Sequence, residues 1–314
     1  MEDSVETFSV GEPIDNSVVS RVGNTPLMPL ARVLKGIDGI ELYGKAEWRN
    51  PSGSVKDRAA LRIIRDAEES GLLVRGKTIV DASSGNTGIA LSMFGAVLGY
   101  PVHIFMPSNA SQERKKMIKA YGAQLTLTDP LEGTDGAQRK VKEFVRIDPE
   151  RYYYADQYNN AANWKAHYDG TAEEIIRDTN GGVTHFVAGL GTSGTFVGTS
   201  RRLKEYRADI QCISMQPDSP LHGIEGLKHM PTAIVPGIYD STVATSSVSV
   251  TTEEAYAMMR RLAREEGLFV GISSGANVAA SLKCAKKLKT GIVVTILCDE
   301  GTRYLSEHIW EDNA

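Results

Sequence analysis

The chain contains 314 residues, of which 41% are hydrophobic and 24% charged, the ordinary balance of a soluble globular protein. The formal net charge is −4 and the basic residues are spread along the chain, which argues against a nucleic-acid-binding protein. No apolar run reaches the roughly 18 residues that span a membrane, and Met1 to Pro13 lacks the layout of a signal peptide, so we expect a cytoplasmic location.

The elements predicted along the first half alternate strand and helix. A polar lead-in over residues 1–19, a turn at Gly23 and a short apolar segment precede a strand at 40–47, and a helix begins at Lys56. Three strand–helix pairs follow: strands at 78–82, 102–106 and 124–128, and helices at 86–98, 111–121 and 135–146.

The second half repeats the alternation with one interruption. We predict helices at 163–177, 194–206, 252–267 and 275–289, and strands at 183–189, 210–216 and 292–298. Residues 217–242 form a long irregular stretch with several prolines and glycines, and loops of that length in compact domains are usually functional.

This order predicts an α/β fold with mostly parallel sheets covered by helices on both faces. The two runs of alternation, separated near residues 150–162, predict two three-layer αβα domains. Ligands of such sheets bind at the carboxyl ends of strands, beside helix N-termini.

The three cysteines, Cys212, Cys284 and Cys298, are isolated in apolar surroundings, and no Cys-x-x-Cys pair exists. This pattern is typical of a reducing compartment, and we expect no metal site.

Lys56 lies where a strand ends and a helix begins. The stretch from Asn50 to Ser54 turns on Pro, Ser and Gly, and the helix opens at Lys56. The positive end of the helix dipole disfavours an ammonium, and a neutral amine is what Schiff-base chemistry requires. Position alone, however, favours a surface lysine that merely begins a helix.

Three more strand-end loops carry hydroxyls or glycines at a helix start. The loop Ser83-Ser84-Gly85-Asn86-Thr87-Gly88 suits a carboxylate, although a capped turn is equally compatible with it. The loop Gly189-Leu190-Gly191-Thr192-Ser193-Gly194-Thr195 suits a monophosphate, since it lacks both a P-loop lysine and the G-x-G-x-x-G spacing. The loop Gly271-Ile272-Ser273-Ser274-Gly275 is weaker evidence, and simple capping is favoured there.

A Schiff-base lysine, a carboxylate loop and a phosphate cradle together indicate a pyridoxal 5'-phosphate enzyme acting on an amino acid. Five motifs in the same order resemble the cysteine synthases (O-acetylserine sulfhydrylases), pyridoxal-phosphate enzymes of fold type II with the tryptophan synthase β-like architecture. The motifs are Gly23-Asn24-Thr25-Pro26-Leu27, Pro51 to Arg58, Ser83 to Gly88, Gly191 to Thr195, and Gly271 to Gly275. The resemblance runs from about Val22 to Ser306.

The resemblance implies a role for each loop. Lys56 would bind the cofactor as a Schiff base and remove the substrate's Cα proton. Cofactor contacts are implied for the 3'-oxygen at Asn86, for the pyridine nitrogen at Ser273 with Asp299 as its rival, and for the phosphate at Gly191, Thr192, Ser193, Gly194 and Thr195. The substrate carboxylate would bind at Ser83, Ser84, Gly85, Thr87 and Gln157.

A serine at the pyridine nitrogen makes the cofactor a weaker electron sink than an aspartate would. Loss of a β-leaving group close to proton removal is then favoured. The resemblance therefore implies β-elimination from an O-activated L-serine to an aminoacrylate, and addition of a sulfur nucleophile to give L-cysteine.

Three positions depart from the family pattern, of which Ser83 is conservative, since the family usually has threonine there. Ser193 stands where many members have glycine, and if its φ is positive the serine costs roughly 1–2 kcal/mol. Lys228 lies in a loop where ordinary members are small and glycine-rich, and relatives that accept O-phosphoserine use an arginine in this region. Lys228 either recognises a dianionic leaving group or is a solvated loop lysine.

The sequence leaves the second substrate open. A cystathionine β-synthase-type reaction with homocysteine would use the same loops, and a catalytically silent regulatory paralogue is a different class. The sulfur donor could be sulfide, thiosulfate or a sulfur-carrier protein. The family further implies a homodimer, a smaller domain over residues 53–160, and a larger one built from 1–52 and 161–314.

Overall fold

The computed structural model describes residues 17–311, so most of the predicted lead-in lies outside the described residues. The strands are β1 (Leu27–Pro29), β2 (Ile40–Ala46), β3 (Thr78–Ala82), β4 (Val102–Pro107), β5 (Gln124–Thr128), β6 (Tyr152–Tyr154), β7 (His185–Gly189), β8 (Gln211–Pro217), β9 (Ser246–Val250) and β10 (Gly291–Leu297). The helices are α1 (Lys56–Glu69), α2 (Asn86–Leu98), α3 (Gln112–Ala120), α4 (Gly133–Ile147), α5 (Ala161–Ala166), α6 (Ala172–Asp178), α7 (Gly194–Tyr206), α8 (Thr252–Arg261) and α9 (Ile272–Ala285).

The strands form two sheets. A 6-stranded sheet has the order β1-β2-β10-β7-β8-β9, and a 4-stranded sheet has the order β5-β4-β3-β6. Every neighbouring pair is parallel except β1 with β2. The predicted α/β class with mostly parallel sheets is confirmed. None of the helices in the described part is long and apolar enough to cross a membrane.

Three strands were not predicted from the sequence, and all are edge strands. β1 was expected only as a short apolar segment and has three residues, none fully buried; β6 consists of three half-buried tyrosines, and β9 is largely exposed. Strands that bury little apolar surface carry little hydrophobic signal, so none of the three stands out from the loops beside it.

The helix expected at 163–177 is continuous but contains a π-helical turn at His167–Thr171, between α5 and α6. Gly198 of α7 packs against this region so closely that a Cβ would lie 2.0 Å from the carbonyl oxygen of Trp164. The turn directs His167 toward α7, where its Nε2 lies 3.2 Å from Oγ1 of Thr195.

A buried ion network fixes the start of α1. The Arg58 guanidinium contacts Glu47, just after β2, at 2.7 Å and Glu174 of α6 at 2.7 Å. Lys45 lies 2.8 Å from the second oxygen of Glu174, and Thr25 donates to Glu47 at 2.7 Å. Burial alone would raise the pKa of Glu174, but the hydrogen bond and charge of Arg58, with Lys45, lower it to about 2. Lys56, two residues before Arg58, is therefore held in place from the side of the 6-stranded sheet.

The network predicts an acid-dependent loss of stability in a Glu174→Gln variant. We expect the free energy of unfolding to fall by about 3 kcal/mol at pH 7, because the buried cations Arg58 and Lys45 each lose one of their two carboxylate partners. The pKa of Glu174 is about 2 when folded and near 4.5 when unfolded, so its contribution is complete above pH 4.5 and is lost as the pH falls from 4.5 toward 2. Denaturant titrations should therefore show a smaller difference from wild type at pH 3 than at pH 7.

Glu173→Gln is the matched control, since Glu173 lies on the same helix but is exposed and paired only with Arg202. Its effect should stay within about 0.5 kcal/mol. An equal decrease in the free energy of unfolding in the two variants would contradict the proposed contribution of the ion network to stability.

Candidate active site

A cavity of about 580 Å³ lies between the two sheets, at the carboxyl ends of strands β3 and β7. It is lined by side chains from each of the strand-end loops, by Lys56 and by residues 220–233 of the long irregular stretch. Of the residues predicted for the site, Gly194 does not line it; those that do are Lys56, Ser83, Ser84, Gly85, Asn86, Thr87, Gln157, Gly191, Thr192, Ser193, Thr195, Lys228 and Ser273.

Lys56 is the first residue of α1 and half-buried at the cavity wall. The preceding turn is fixed to the end of β10, because the Val55 N–H donates to the Cys298 carbonyl at 2.8 Å. Burial raises the pKa of the neighbouring Cys298 thiol to about 11, so this group stays protonated at neutral pH beside Lys56. The structure thus places the lysine amine in the cavity wall, as the sequence predicted.

The loop after β3 uses several of its polar groups internally. Ser83 Oγ accepts from the N–H groups of Gly85 and Gly88 at 3.0 Å each. Thr87 donates to Gln157 at 2.6 Å, and Gln157 donates to the Ala82 carbonyl at 2.7 Å. These bonds shape the loop and join it to the segment after β6, while the first-turn N–H groups of α2 have no partner within the helix.

The loop after β7 is built as an anion cradle at the start of the 13-residue helix α7. A Cβ on Gly191 would lie 2.1 Å from the Gly226 carbonyl oxygen, so only glycine fits there. Thr192 Oγ1 is held by Asn163 at 3.0 Å. Burial, aided by the charge of Arg58, lowers the pKa of His167 to about 3, so the imidazole beside Thr195 is neutral.

Ser193 combines a left-handed backbone with an unused hydroxyl. Its φ is 70°, a conformation that costs most residues other than glycine energy. Its buried Oγ has no hydrogen-bond partner among residues 17–311. A buried hydroxyl without a partner is unfavourable, and here it lies in the wall of the cavity.

Ser273 lies in the first turn of α9, which begins at Ile272 rather than at the predicted residue 275. The sequence Ser-Ser-Gly favours a loop, but Gly275 allows close packing on α8, where a Cβ would lie 2.3 Å from the Ala255 carbonyl oxygen. Ser273 lines the cavity, whereas its rival Asp299 does not. Asp299 is fully buried and accepts from Asn86 at 2.7 Å and from Tyr304 at 2.8 Å.

Lys228 is not a solvated loop lysine, because it is 8% exposed. Its amine contacts Asp135 of α4 at 2.6 Å and lies 5.0 Å from the ring centre of Tyr158. Asp135 also accepts from the Ile234 N–H at 3.0 Å. The lysine charge is thus neutralised across the cavity mouth.

The sequence did not indicate a second ion pair at the mouth. Arg114 of α3 pairs with Glu225, and its guanidinium carbon lies 4.7 Å from the centre of the Tyr304 ring. Both members of each pair line the cavity. No local motif distinguishes these residues, because each pair joins parts of the chain about a hundred positions apart.

Comparison with known proteins agrees with this geometry. The family model for pyridoxal-phosphate-dependent enzymes matches residues 18–299. The chain is 51% identical over 302 residues to the cysteine synthase of Aquifex aeolicus, covering 94% of this chain and 92% of that protein.

Solved structures give the same result. The cysteine synthase from Entamoeba histolytica matches with a TM-score of 0.90 at 35% identity, covering 98% of this chain and 96% of that one. An O-acetylserine-dependent cystathionine β-synthase from Helicobacter pylori matches with a TM-score of 0.89 at 33% identity, covering 96% and 100%.

The described residues fit pyridoxal phosphate. The cavity has an amine at Lys56, an anion cradle with an unpartnered hydroxyl at Ser193, and a further hydroxyl at Ser273. An aldehyde, a phosphate and a ring nitrogen are the groups that such a set can bind. Lys56, Asn86, Ser273 and residues 191–195 are therefore the residues that would hold the cofactor.

The positive φ of Ser193 predicts that Ser193→Gly stabilises the protein without its cofactor. We expect the free energy of unfolding to rise by about 1 kcal/mol, because glycine adopts φ 70° without steric cost. Denaturant titration of the apoprotein measures this. Ser193→Ala is the control, since it keeps the Cβ and removes the hydroxyl; an equal gain in both variants would assign the cost to the hydroxyl instead of the backbone.

Proposed function

The chain belongs to the pyridoxal-phosphate-dependent enzymes of the cysteine synthase family, and we propose that it makes L-cysteine and acetate from O-acetyl-L-serine and sulfide. The observation that carries the proposal is one cavity that combines the Lys56 amine, the carboxylate loop at 83–88 and the anion cradle at 191–195. Neither the amine, the loop nor the cradle would suffice alone, and the 51% identity to a cysteine synthase supports this use of the set.

When bound, pyridoxal phosphate supplies an electron-withdrawing ring that stabilises negative charge at the substrate's Cα. Lys56 is proposed to hold the cofactor through its amine and, once displaced by the substrate, to take the Cα proton on Nζ. Ser84 and the free N–H groups at the start of α2 bind the substrate carboxylate. Thr87 and Gln157, bonded to each other at 2.6 Å, fix the shape of that site.

We propose Ser273, not Asp299, as the partner of the ring nitrogen. Ser273 lines the cavity and Asp299 does not. Asn86 and Tyr304 both donate to Oδ2 of Asp299, and its Oδ1, which has no hydrogen-bond partner among the described residues, lies against Gly271. A hydroxyl leaves the ring nitrogen uncharged. Departure of acetate from Cβ nearly at the same time as proton removal from Cα is then favoured. Sulfide adds at Cβ, the carbon that acetate has left.

The paired state of Lys228 supports O-acetylserine over O-phosphoserine. A dianionic leaving group requires a cation with free charge. Lys228 is bonded to Asp135 at 2.6 Å, and Arg114 is paired with Glu225. An uncharged acetyl ester needs neither cation.

A second candidate is β-replacement by homocysteine, giving cystathionine. It is favoured by the likeness to the Helicobacter pylori enzyme, which matches with a TM-score of 0.89. Product analysis with O-acetylserine and equal concentrations of sulfide and homocysteine separates the two: cysteine supports our proposal, and a predominance of cystathionine overturns it. A protein that turns over neither substrate pair is the silent paralogue.

The surroundings of the reaction are also part of the proposal. Three free cysteines suit a cytoplasmic, reducing location. We propose that residues 53–160, which contain the 4-stranded sheet, form a smaller domain that closes over the substrate. A homodimer, and a sulfur-carrier protein as a donor in place of sulfide, rest on family resemblance.

Lys56→Ala tests the two roles proposed for Lys56, which are to hold the cofactor and to remove the Cα proton. We expect cysteine formation from O-acetylserine and sulfide to fall by about a thousandfold or more, because both the cofactor linkage and the Cα base are removed. The visible absorbance of covalently bound cofactor should also disappear. Lys140→Ala, at an exposed position on α4, should match wild type in both measurements; turnover by Lys56→Ala at the wild-type rate would refute the assignment.

Asp135→Asn tests the selectivity argument. Removing the partner charge should leave Lys228 free to bind an anionic leaving group. We expect the ratio of kcat/KM for O-phosphoserine to that for O-acetylserine to rise about tenfold. The double variant Asp135→Asn/Lys228→Ala should lose that gain, and an unchanged ratio in the single variant would show that the pair does not set selectivity.

A further inference from the structure

The segment after β10 reaches across the cavity wall and holds the side chain of Asn86 at both ends. A nitrogen of the Arg303 guanidinium donates to the Asn86 carbonyl oxygen. The Asn86 amide nitrogen donates to Asp299 at 2.7 Å. Arg303 and Asp299 are 2% and 0% exposed, so these contacts are sheltered from water.

The chemistry of the partners fixes the orientation of the amide. A guanidinium only donates hydrogen bonds, so the Asn86 atom that faces Arg303 is the carbonyl oxygen. A flipped amide would oppose its NH₂ to Arg303 and its carbonyl oxygen to Asp299. After the bonds to Arg303 and Asp299 are made, the amide nitrogen of Asn86 has one N–H left to donate. The Asn86 side chain lines the cavity. Asn86 can therefore meet a ligand as a hydrogen-bond donor.

Arg303 also contacts the loop that leads to Lys56. Its second terminal nitrogen donates to the Ser52 carbonyl oxygen. Gly53 makes room for it, since a Cβ there would lie 2.8 Å from the guanidinium and φ is +85°. Asp57 holds Ser52 from the other side, accepting its N–H at 2.6 Å. One guanidinium thus joins the Lys56 loop to the Asn86 loop.

We propose that Arg303 is a positioning residue for the cofactor, which locks the Asn86 amide as a donor to the phenolic oxygen of pyridoxal phosphate. The inference rests on the proposed cofactor and on the proposed contact of Asn86 with it. A donor at this oxygen favours its anionic form, because an N–H bonds an anion more strongly than a neutral hydroxyl. The effect of Arg303 on the phenolic oxygen passes through Asn86, whereas its bond to the Ser52 carbonyl steadies the loop that leads to Lys56.

The test compares holoenzymes of wild type, Arg303→Met, Asn86→Ala and the double variant. In Arg303→Met we expect the visible band of the bound cofactor to move to shorter wavelength, as the phenolic oxygen regains its proton. We also expect about tenfold weaker cofactor binding, measured by titrating the apoprotein with pyridoxal phosphate and following tryptophan fluorescence. In the Asn86→Ala background, Arg303→Met should cause no further shift of the band, because the effect on the phenolic oxygen passes through Asn86.

A further band shift in the double variant, or an unshifted band in folded Arg303→Met, would overturn the proposal. Arg207→Met is the matched control, because Arg207 also donates to backbone carbonyls, of Gly181 and Val183, but away from the cavity. It should alter stability and leave the band in place. If Arg303→Met does not fold, Arg303→Lys replaces it, with a smaller shift expected and an unshifted band again contradicting the proposal. Failure of the proposed cofactor would differ from all of these, since wild type itself would then show no visible band.

Discussion

The site depends on one buried guanidinium outside the cavity. Arg58 lies between the carboxylates of Glu47 and Glu174, and each contact is 2.7 Å long. A buried guanidinium is costly unless its charge and its donors are fully paired. Only one arrangement of β2, α1 and α6 supplies both carboxylates, so the ion network selects a single position for the first turn of α1. Lys56, the proposed catalytic lysine, is in that turn and is positioned by these contacts.

The polar residues of the loops divide into those that build the cavity and those left to bind a ligand. Ser83, Thr87 and Gln157 satisfy one another or the backbone within the described structure. Ser193 has a buried hydroxyl without a partner among the described residues, and the Asn86 amide keeps one N–H. A group that is fully bonded before a ligand arrives contributes shape, while an unsatisfied buried group gains most from binding one. This distinction locates the proposed phosphate and phenolic-oxygen contacts more sharply than the motifs do.

The sequence predicted what is encoded locally. The strand-end loops and helix starts could be found because glycine, serine and threonine at a strand–helix junction mark a turn or a helix cap, whether or not a ligand binds there. Asn86–Leu98 and Gly194–Tyr206 match their predicted bounds. The edge strands β6 and β9 lacked a hydrophobic pattern. The partners of Lys228 and Arg303 could not be predicted, because Asp135 and Asn86 lie in distant parts of the chain and only the packed fold brings them together. Whether Ser193 has a positive φ could not be predicted from the sequence, because φ depends on the folded backbone of the loop.

The two ion pairs that line the cavity affect both the choice of leaving group and the entry of the substrate. The pairs Lys228–Asp135 and Arg114–Glu225 both join the segment 111–147 to the irregular stretch 217–242, one on each helix of that segment. An open cleft would separate the members of each pair and expose four charges, whereas a closed cleft neutralises them around the substrate. Because a salt bridge shielded from water is stronger than one in solvent, the proposed closure would occupy the cations that a dianionic leaving group needs. The proposed preference for an uncharged ester therefore follows from the contacts that the stretch 217–242 makes with the segment 111–147.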